Sequence, residues 1–212
     1  MKRFRPALAC LLLAAAGACA AQTPLSLPKD SVYQLPLKLT DQHGKSWDWR
    51  GKRGKPQLVA MFYTSCPYIC PLIVDSGKAV EHALAPAERA RLGILLISMD
   101  PKRDNPAALM AVVIKRKLDP ARWSLASPKP NDVRGVSGVL GVRYRAVADG
   151  GFNHTSALVL LDREGRIVAR TEKIGSRVDA EFMVAVRAAL TPLAKGRRST
   201  QRPSQVAHEQ GR

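Results

Sequence analysis

Leu58-Val59-Ala60-Met61-Phe62-Tyr63-Thr64-Ser65-Cys66-Pro67-Tyr68-Ile69-Cys70-Pro71 passes from an unbroken apolar run directly into a pair of cysteines. Apolar residues without alternation over 58–63 predict a strand covered on both faces, as inside a layered α/β sheet. A helix-like segment follows to about Leu84. The cysteines therefore lie at the carboxyl end of a strand, where such sheets place their sites. Pro71 suits the first helical position, which puts Cys70 at or near the N-cap. There the helix amides and dipole favour a thiolate. Both sulfurs are expected to be partly ionised and able to meet, as a disulfide or on one metal ion. The C-x-x-x-C spacing is one residue longer than the C-x-x-C of redox proteins. A purely structural disulfide across so short a loop would restrict the unfolded chain little and add little stability.

Outward from this motif, Leu92 to Met99 predicts a second buried strand, ending at Asp100-Pro101. Asn105-Pro106 opens a helix to about Lys117, and Asn131-Asp132 opens another with Val133, Val136, Val139 and Leu140 on one face. Thr155 to Leu161 predicts a third apolar strand, turned by Asp162-Arg163-Glu164-Gly165 into Arg166 to Arg170. Ser176 and Asp179 resemble a capping box for a last helix, with Val178, Phe182, Val186 and Ala189 as its buried stripe. Upstream, Gly51 to Pro56 is a basic loop, and Asp41-Gln42-His43-Gly44 turns Leu35–Leu39 into Ser46–Trp49. This order predicts an α/β fold, a thioredoxin-like sandwich whose central mixed β-sheet is flanked by helices and preceded by a β-hairpin. One domain is expected over residues 35–192, after a linker at 21–34 and before a basic, disordered tail at 193–212.

The chain has 212 residues, 46% hydrophobic and 24% charged, which excludes a mainly disordered protein or a small disulfide-stapled scaffold. Its 34 Lys+Arg against 17 Asp+Glu give +17, a balance that invites a nucleic-acid reading. The N-terminus changes that reading. Met1-Lys2-Arg3-Phe4-Arg5 precedes a short apolar core, and residues 1–20 read as a secretory signal, too short to span a bilayer comfortably. Ala18-Cys19-Ala20 fits an A-x-A cleavage site before Ala21, while Ala16-Gly17-Ala18-Cys19 resembles a lipobox that would leave a lipidated Cys19. The expected location is periplasmic, either soluble or membrane-anchored through Cys19. Cys10 is removed under either cut, leaving Cys66 and Cys70 as the thiols of the domain in an oxidising compartment. Export argues against a nucleic-acid partner, and a basic surface then serves to steer an acidic partner or an anionic membrane surface.

Of the histidines, His208 falls in the tail, His43 in a hairpin turn, and His82 three helical turns beyond the cysteines. His154, in Gly150-Gly151-Phe152-Asn153-His154, precedes the third strand on the loop that faces the cysteine helix in such a sandwich. Thioredoxins carry a proline ahead of the equivalent strand, and none stands here.

Leu-Thr-Asp-Gln-His-Gly (39–44), Phe-Tyr-Thr-Ser-Cys-Pro-Tyr-Ile-Cys-Pro (62–71), Ser-Met-Asp-Pro (98–101), Leu-Gly-Val-Arg-Tyr (140–144), Asn-His-Thr (153–155) and Leu-Asp-Arg-Glu-Gly (161–165) together resemble the Sco/SenC family. The resemblance covers roughly residues 30 to 192. It implies assistance to cytochrome c oxidase assembly, a thioredoxin-like fold, and a copper site of Cys66, Cys70 and His154. The implied partner is the copper-site subunit of the oxidase, with other copper chaperones or thiol reductants upstream. The family often has Asp after the first Cys-Pro, where this chain has Tyr68.

Copper suits the residues themselves. Two thiolates and an imidazole are a soft and borderline set for Cu(I) that also holds Cu(II). Zinc would accept the same atoms, but an open zinc site works through a catalytic water, and no base for hydrolysis is evident. Asp100 is either an outer-sphere partner of the metal ligands or a cap of the Pro101 turn. The reading is a metallochaperone that delivers copper to the oxidase's binuclear centre or reduces its cysteines. The alternatives are a thiol–disulfide oxidoreductase or thiol peroxidase acting through Cys66 and Cys70 without metal, and a copper sensor or buffer.

Overall fold

The computed structural model describes residues 26–148 and 150–192. The signal at 1–20 with Cys10 and Cys19, the first part of the linker, and the tail with His208 lie outside the described residues.

The chain runs β1 (Lys38–Asp41), β2 (Ser46–Asp48), β3 (Gln57–Phe62), α1 (Ile69–His82), α2 (Pro86–Arg89), β4 (Gly93–Ser98), α3 (Pro106–Arg116), β5 (Trp123–Pro128), α4 (Val133–Val139), β6 (Tyr144–Ala146), β7 (Phe152–His154), β8 (Leu158–Leu161), β9 (Ile167–Thr171) and α5 (Ala180–Leu190). One sheet has the order β2-β1-β5-β4-β3-β8-β9, and β6 and β7 form a separate two-stranded ribbon. Strands β3, β4 and β5 are parallel, while β1, β2, β8 and β9 join antiparallel. This is the mixed sheet of a thioredoxin-like fold. Every residue of β3 and β4 is buried, as their continuous apolar runs require.

Strand β5 is absent from the sequence-based order. Trp123-Ser124-Leu125-Ala126-Ser127-Pro128 has neither a continuous apolar run nor strict alternation, yet it sits between β1 and β4. Gln42, expected in a turn, is buried and extends that pairing. Its side-chain amide donates to the Trp123 carbonyl at 3.2 Å and accepts the Leu125 N–H at 2.9 Å. Helix α1 seats on the same strand through Gly77, where a Cβ would stand 2.7 Å from the Trp123 ring.

The linker reading also needs correction at its end. Val32 and Tyr33 are buried in a 3-10 turn, and Tyr33 meets Trp49 edge-on at 5.5 Å. The β8–β9 turn locks this segment down, with Val32 N–H donating to the Gly165 carbonyl at 2.9 Å and the Ser31 hydroxyl to that of Glu164 at 2.6 Å. Gly165 has φ +81°, and a Cβ there would lie 2.4 Å from the Tyr33 ring. Gly165→Ala is expected to cost about 2–4 kcal/mol, adding left-handed backbone strain to overpacking. A urea melt reads this, and a loss under about 0.5 kcal/mol would contradict the docking of this segment.

At the other end the expected capping box does not form. Helix α5 begins at Ala180, and the Asp179 carboxylate accepts the Thr171 hydroxyl at 2.7 Å instead of capping the helix. Phe182 and Val186 are buried as expected, joined by Met183 and Leu190, whereas Val178 and Ala189 are only partly buried.

Candidate metal centre

Strand β3 ends at Phe62, and the next residues leave the sheet toward α1. They are held by Asp104, which is fully buried beyond β4. Its carboxylate accepts the Thr64 N–H at 3.1 Å, the Thr64 hydroxyl at 2.5 Å and the Ser98 hydroxyl at 2.5 Å. Burial nevertheless holds this carboxyl above its ordinary value, against the hydrogen bonds from Ser98 and Thr64.

Cys66 precedes α1, and Cys70 occupies the second position of the helix, with Pro71 third where it was expected first. Both thiols are free and buried. The Cys70 N–H points at the Cys66 sulfur at 3.4 Å, and the Tyr63 N–H points at the Cys70 sulfur at 3.4 Å. The expectation that both are partly ionised holds for one only. At Cys66 burial raises the pKa, but hydrogen bonds from the Cys70 and Tyr68 amides and the Cys70 and Tyr63 side chains lower it below the ordinary thiol value. At Cys70 deeper burial and the neighbouring Cys66 charge push the thiol well up, despite the Tyr63 amide. The helix terminus favours both, and burial separates them. Cys66 is therefore expected to alkylate about tenfold faster than Cys70 in metal-free protein at neutral pH. Iodoacetamide labelling with fragment mass mapping measures this, and equal rates would contradict the asymmetry.

The two cysteines share a cavity of about 180 Å³ with apolar walls from Val74 and Val112 and a basic side from Lys115 and Arg116. Between them Tyr68 is 83% exposed.

His154 ends β7, directly opposite Tyr144 of β6 and not on a free loop before a strand. Its Nδ1 lies 3.2 Å from the Thr155 carbonyl, and its Nε2 is buried with no hydrogen-bond partner among the described residues. A carbonyl only accepts, so Nδ1 carries the proton. Burial lowers the pKa of the ring against that hydrogen bond, which leaves a neutral imidazole with a bare Nε2 lone pair. Metal-ligating histidines carry this arrangement, one nitrogen donating to a carbonyl and the other free.

The structure brings Cys66 and Cys70 together and sets His154 beyond Tyr63. The Tyr63 and His154 rings lie 6.0 Å apart, edge to face, and among the described residues no three His, Cys, Asp or Glu side chains already form a metal-sized group. His82 ends α1 and is exposed, as is His43. Asp100 pairs with Arg103, not with a cysteine or His154. Tyr63, Arg103 and Asp104 escape a reading of the sequence. A tyrosine at a strand end reads as core, and charges after a strand read as solvated loop.

The sequence model of the SCO1/SenC family matches residues 27–189. A SCO2-like protein of Rickettsia prowazekii is 27% identical over 139 residues, 62% of this chain and 65% of that protein, so the chain spans just under two thirds of that relative's length. The structure of Bradyrhizobium japonicum ScoI with copper bound aligns with a TM-score of 0.62 at 29% identity, covering 73% of this chain and 98% of that one. BsSco, described with a disulfide switch and as a member of the Sco family of cytochrome c oxidase assembly proteins, aligns with a TM-score of 0.63 at 19% identity, covering 74% and 92%. With the paired thiols, the poised imidazole and the mixed sheet already in place, the match over most of its length decides the matter: this chain belongs to the SCO1/SenC family.

Proposed function

We propose that this protein is an exported copper metallochaperone that serves assembly of the binuclear copper centre of a respiratory cytochrome c oxidase. It binds copper through Cys66, Cys70 and His154, and it delivers the metal to the centre or reduces the centre's cysteines. One observation carries this reading: two buried, unbridged thiols stand across a tyrosine from a buried imidazole nitrogen that has no hydrogen-bond partner among the described residues. Such donors match copper in both oxidation states. The copper-bound Bradyrhizobium relative supports the metal, and the assembly role of BsSco supports the destination. Export rests on the leader at residues 1–20, with a soluble or Cys19-anchored periplasmic protein as its product.

The test mixes copper-loaded protein with the metal-free copper-site domain of an oxidase subunit. The absorption of the binuclear centre is expected to appear on the acceptor as copper leaves this protein. Copper-free dithiol protein mixed with oxidised acceptor separates reduction from delivery. Absence of both reactions overturns the reading.

The unequal thiols favour one other reading, a thiol–disulfide oxidoreductase or peroxidase with Cys66 as nucleophile and Cys70 resolving. Multiple turnovers of a disulfide or peroxide substrate by metal-free protein, lost in Cys66→Ser, would select it.

A further inference from the structure

Three segments meet at Tyr63, the first residue past β3 and 6% exposed. Its hydroxyl accepts the Phe152 N–H at 3.2 Å and lies near enough to the Cys66 thiol to lower its pKa. Its ring packs edge to face on Phe152 at 5.2 Å and on His154 at 6.0 Å. The phenol thus stands between a proposed copper thiol and the strand that carries the proposed copper imidazole, and is bonded to that strand. A second connection reaches the same ribbon from β4. Arg103 pairs through Nε with the buried Asp100 carboxylate and donates from Nη2 to the Gly150 carbonyl in the β6–β7 turn. Asp100 is itself fixed, its N–H donating to the Ser98 hydroxyl at 2.9 Å.

Phe152 and Gly150 lie two and four residues before His154, so these bonds set where the imidazole sits. In that setting the three donors are not yet one group. Bringing Nε2 and the sulfurs onto one ion closes that gap, and a shift of the ribbon toward the cysteines works against both connections.

We propose that Tyr63 and Arg103 are positioning residues that latch the histidine-bearing ribbon in the metal-free protein, so that breaking the latch limits the rate at which His154 joins Cys66 and Cys70 on copper. This rests on the copper reading above. Neither residue supplies a copper donor. The latch bonds exist in the free arrangement and are lost on closure, so they slow loading without changing the final ligand set.

Tyr63→Phe keeps the ring contacts and removes the hydroxyl. Arg103→Lys keeps a cation beside Asp100, but a single ammonium lacks the fork that spans Asp100 and the Gly150 carbonyl. Hydrogen exchange on metal-free protein is expected to show the Phe152 amide and its ribbon neighbours exchanging about fivefold faster in both variants, the effect of one net hydrogen bond. Stopped-flow growth of the thiolate-to-Cu(II) absorption is expected to accelerate by about the same factor. The endpoint electron paramagnetic resonance spectrum, with its nitrogen splitting, is expected to match the unmodified protein. Unchanged exchange in both variants overturns the latch. Faster exchange with unchanged or slower uptake overturns its control of loading, and an altered endpoint spectrum overturns the positioning role. Unmodified protein that never develops the copper absorption fails the copper reading instead, and the exchange measurement still decides the latch.

Discussion

Cys66→Ser and Cys70→Ser are each expected to abolish stoichiometric copper binding, whereas His154→Ala is expected to keep Cu(I) on the two thiols and to weaken Cu(II) binding about a hundredfold or more. The difference follows from what each substitution leaves. With one thiol gone, the site retains a single soft donor, and a serine hydroxyl is a poor copper ligand. With the imidazole gone, the adjacent sulfurs remain, and two thiolates satisfy Cu(I), which accepts low coordination. Cu(II) depends more on the imidazole. Removing only an outer hydrogen-bond partner of a metal ligand costs about 10–100-fold, so removing the ligand costs at least the upper end of that range. Both thiols must lose protons on binding, and Cys70 starts from a raised pKa. Copper affinity is therefore expected to fall as pH is lowered, with proton release on loading. Copper titration with competing chelators, followed by absorption for Cu(II), measures all three variants. Unchanged affinity in every one of them sinks the chaperone reading.

The parts of this site that a sequence can carry are those whose signal is local. Leu58 to Phe62 is apolar without interruption and is buried on both faces, and the cysteines follow shortly after, so their place at a strand end can be read from the order of residues. The partner of Tyr63 cannot be read that way, because Phe152 lies 89 positions away and an aromatic residue at a strand end looks like ordinary core. Strand β5 is hidden for a similar reason. Its two serines break the apolar pattern, and the partners that fix it, Gln42 and Gly77, come from β1's turn and from α1. The expectation that both cysteines are partly ionised fails at Cys70, because a helix dipole acts on both sulfurs while burial depends on packing that only the fold supplies. His154 could be singled out as a lone histidine opposite the motif, but its bare Nε2 and its separation by Tyr63 are properties of three dimensions.

Asp104→Ala is expected to destabilise the fold by about 3 kcal/mol and to loosen the cysteine loop with it. The carboxylate is fully buried and accepts one amide and two hydroxyls, from Thr64 and Ser98. Alanine leaves those donors without an acceptor and without water. Thr64 stands two residues before Cys66, so the loss reaches the thiols through the backbone. Asp104→Asn keeps the shape and removes the charge, and this separates packing from ionisation. The folded-state pKa of Asp104 is raised, chiefly by burial. A raised carboxyl pKa means that the fold prefers the protonated form. Its favourable contribution is complete below the unfolded value of about 3.9 and is lost as pH rises through the folded value. Unfolding free energy of the unmodified protein minus that of Asp104→Asn should therefore fall from about pH 4 toward neutrality. Glu88 and Asp179, whose pKa values are lowered, give slopes of the opposite sign that are common to both proteins and cancel in the difference. Urea melts across this range test it, and a difference that grows with pH would show that the three donors overcompensate burial. The fold retains an acid that burial disfavours because no neutral side chain of that size accepts from Thr64 N–H, Thr64 hydroxyl and Ser98 hydroxyl together. Those bonds hold the loop that places Cys66 at the end of β3.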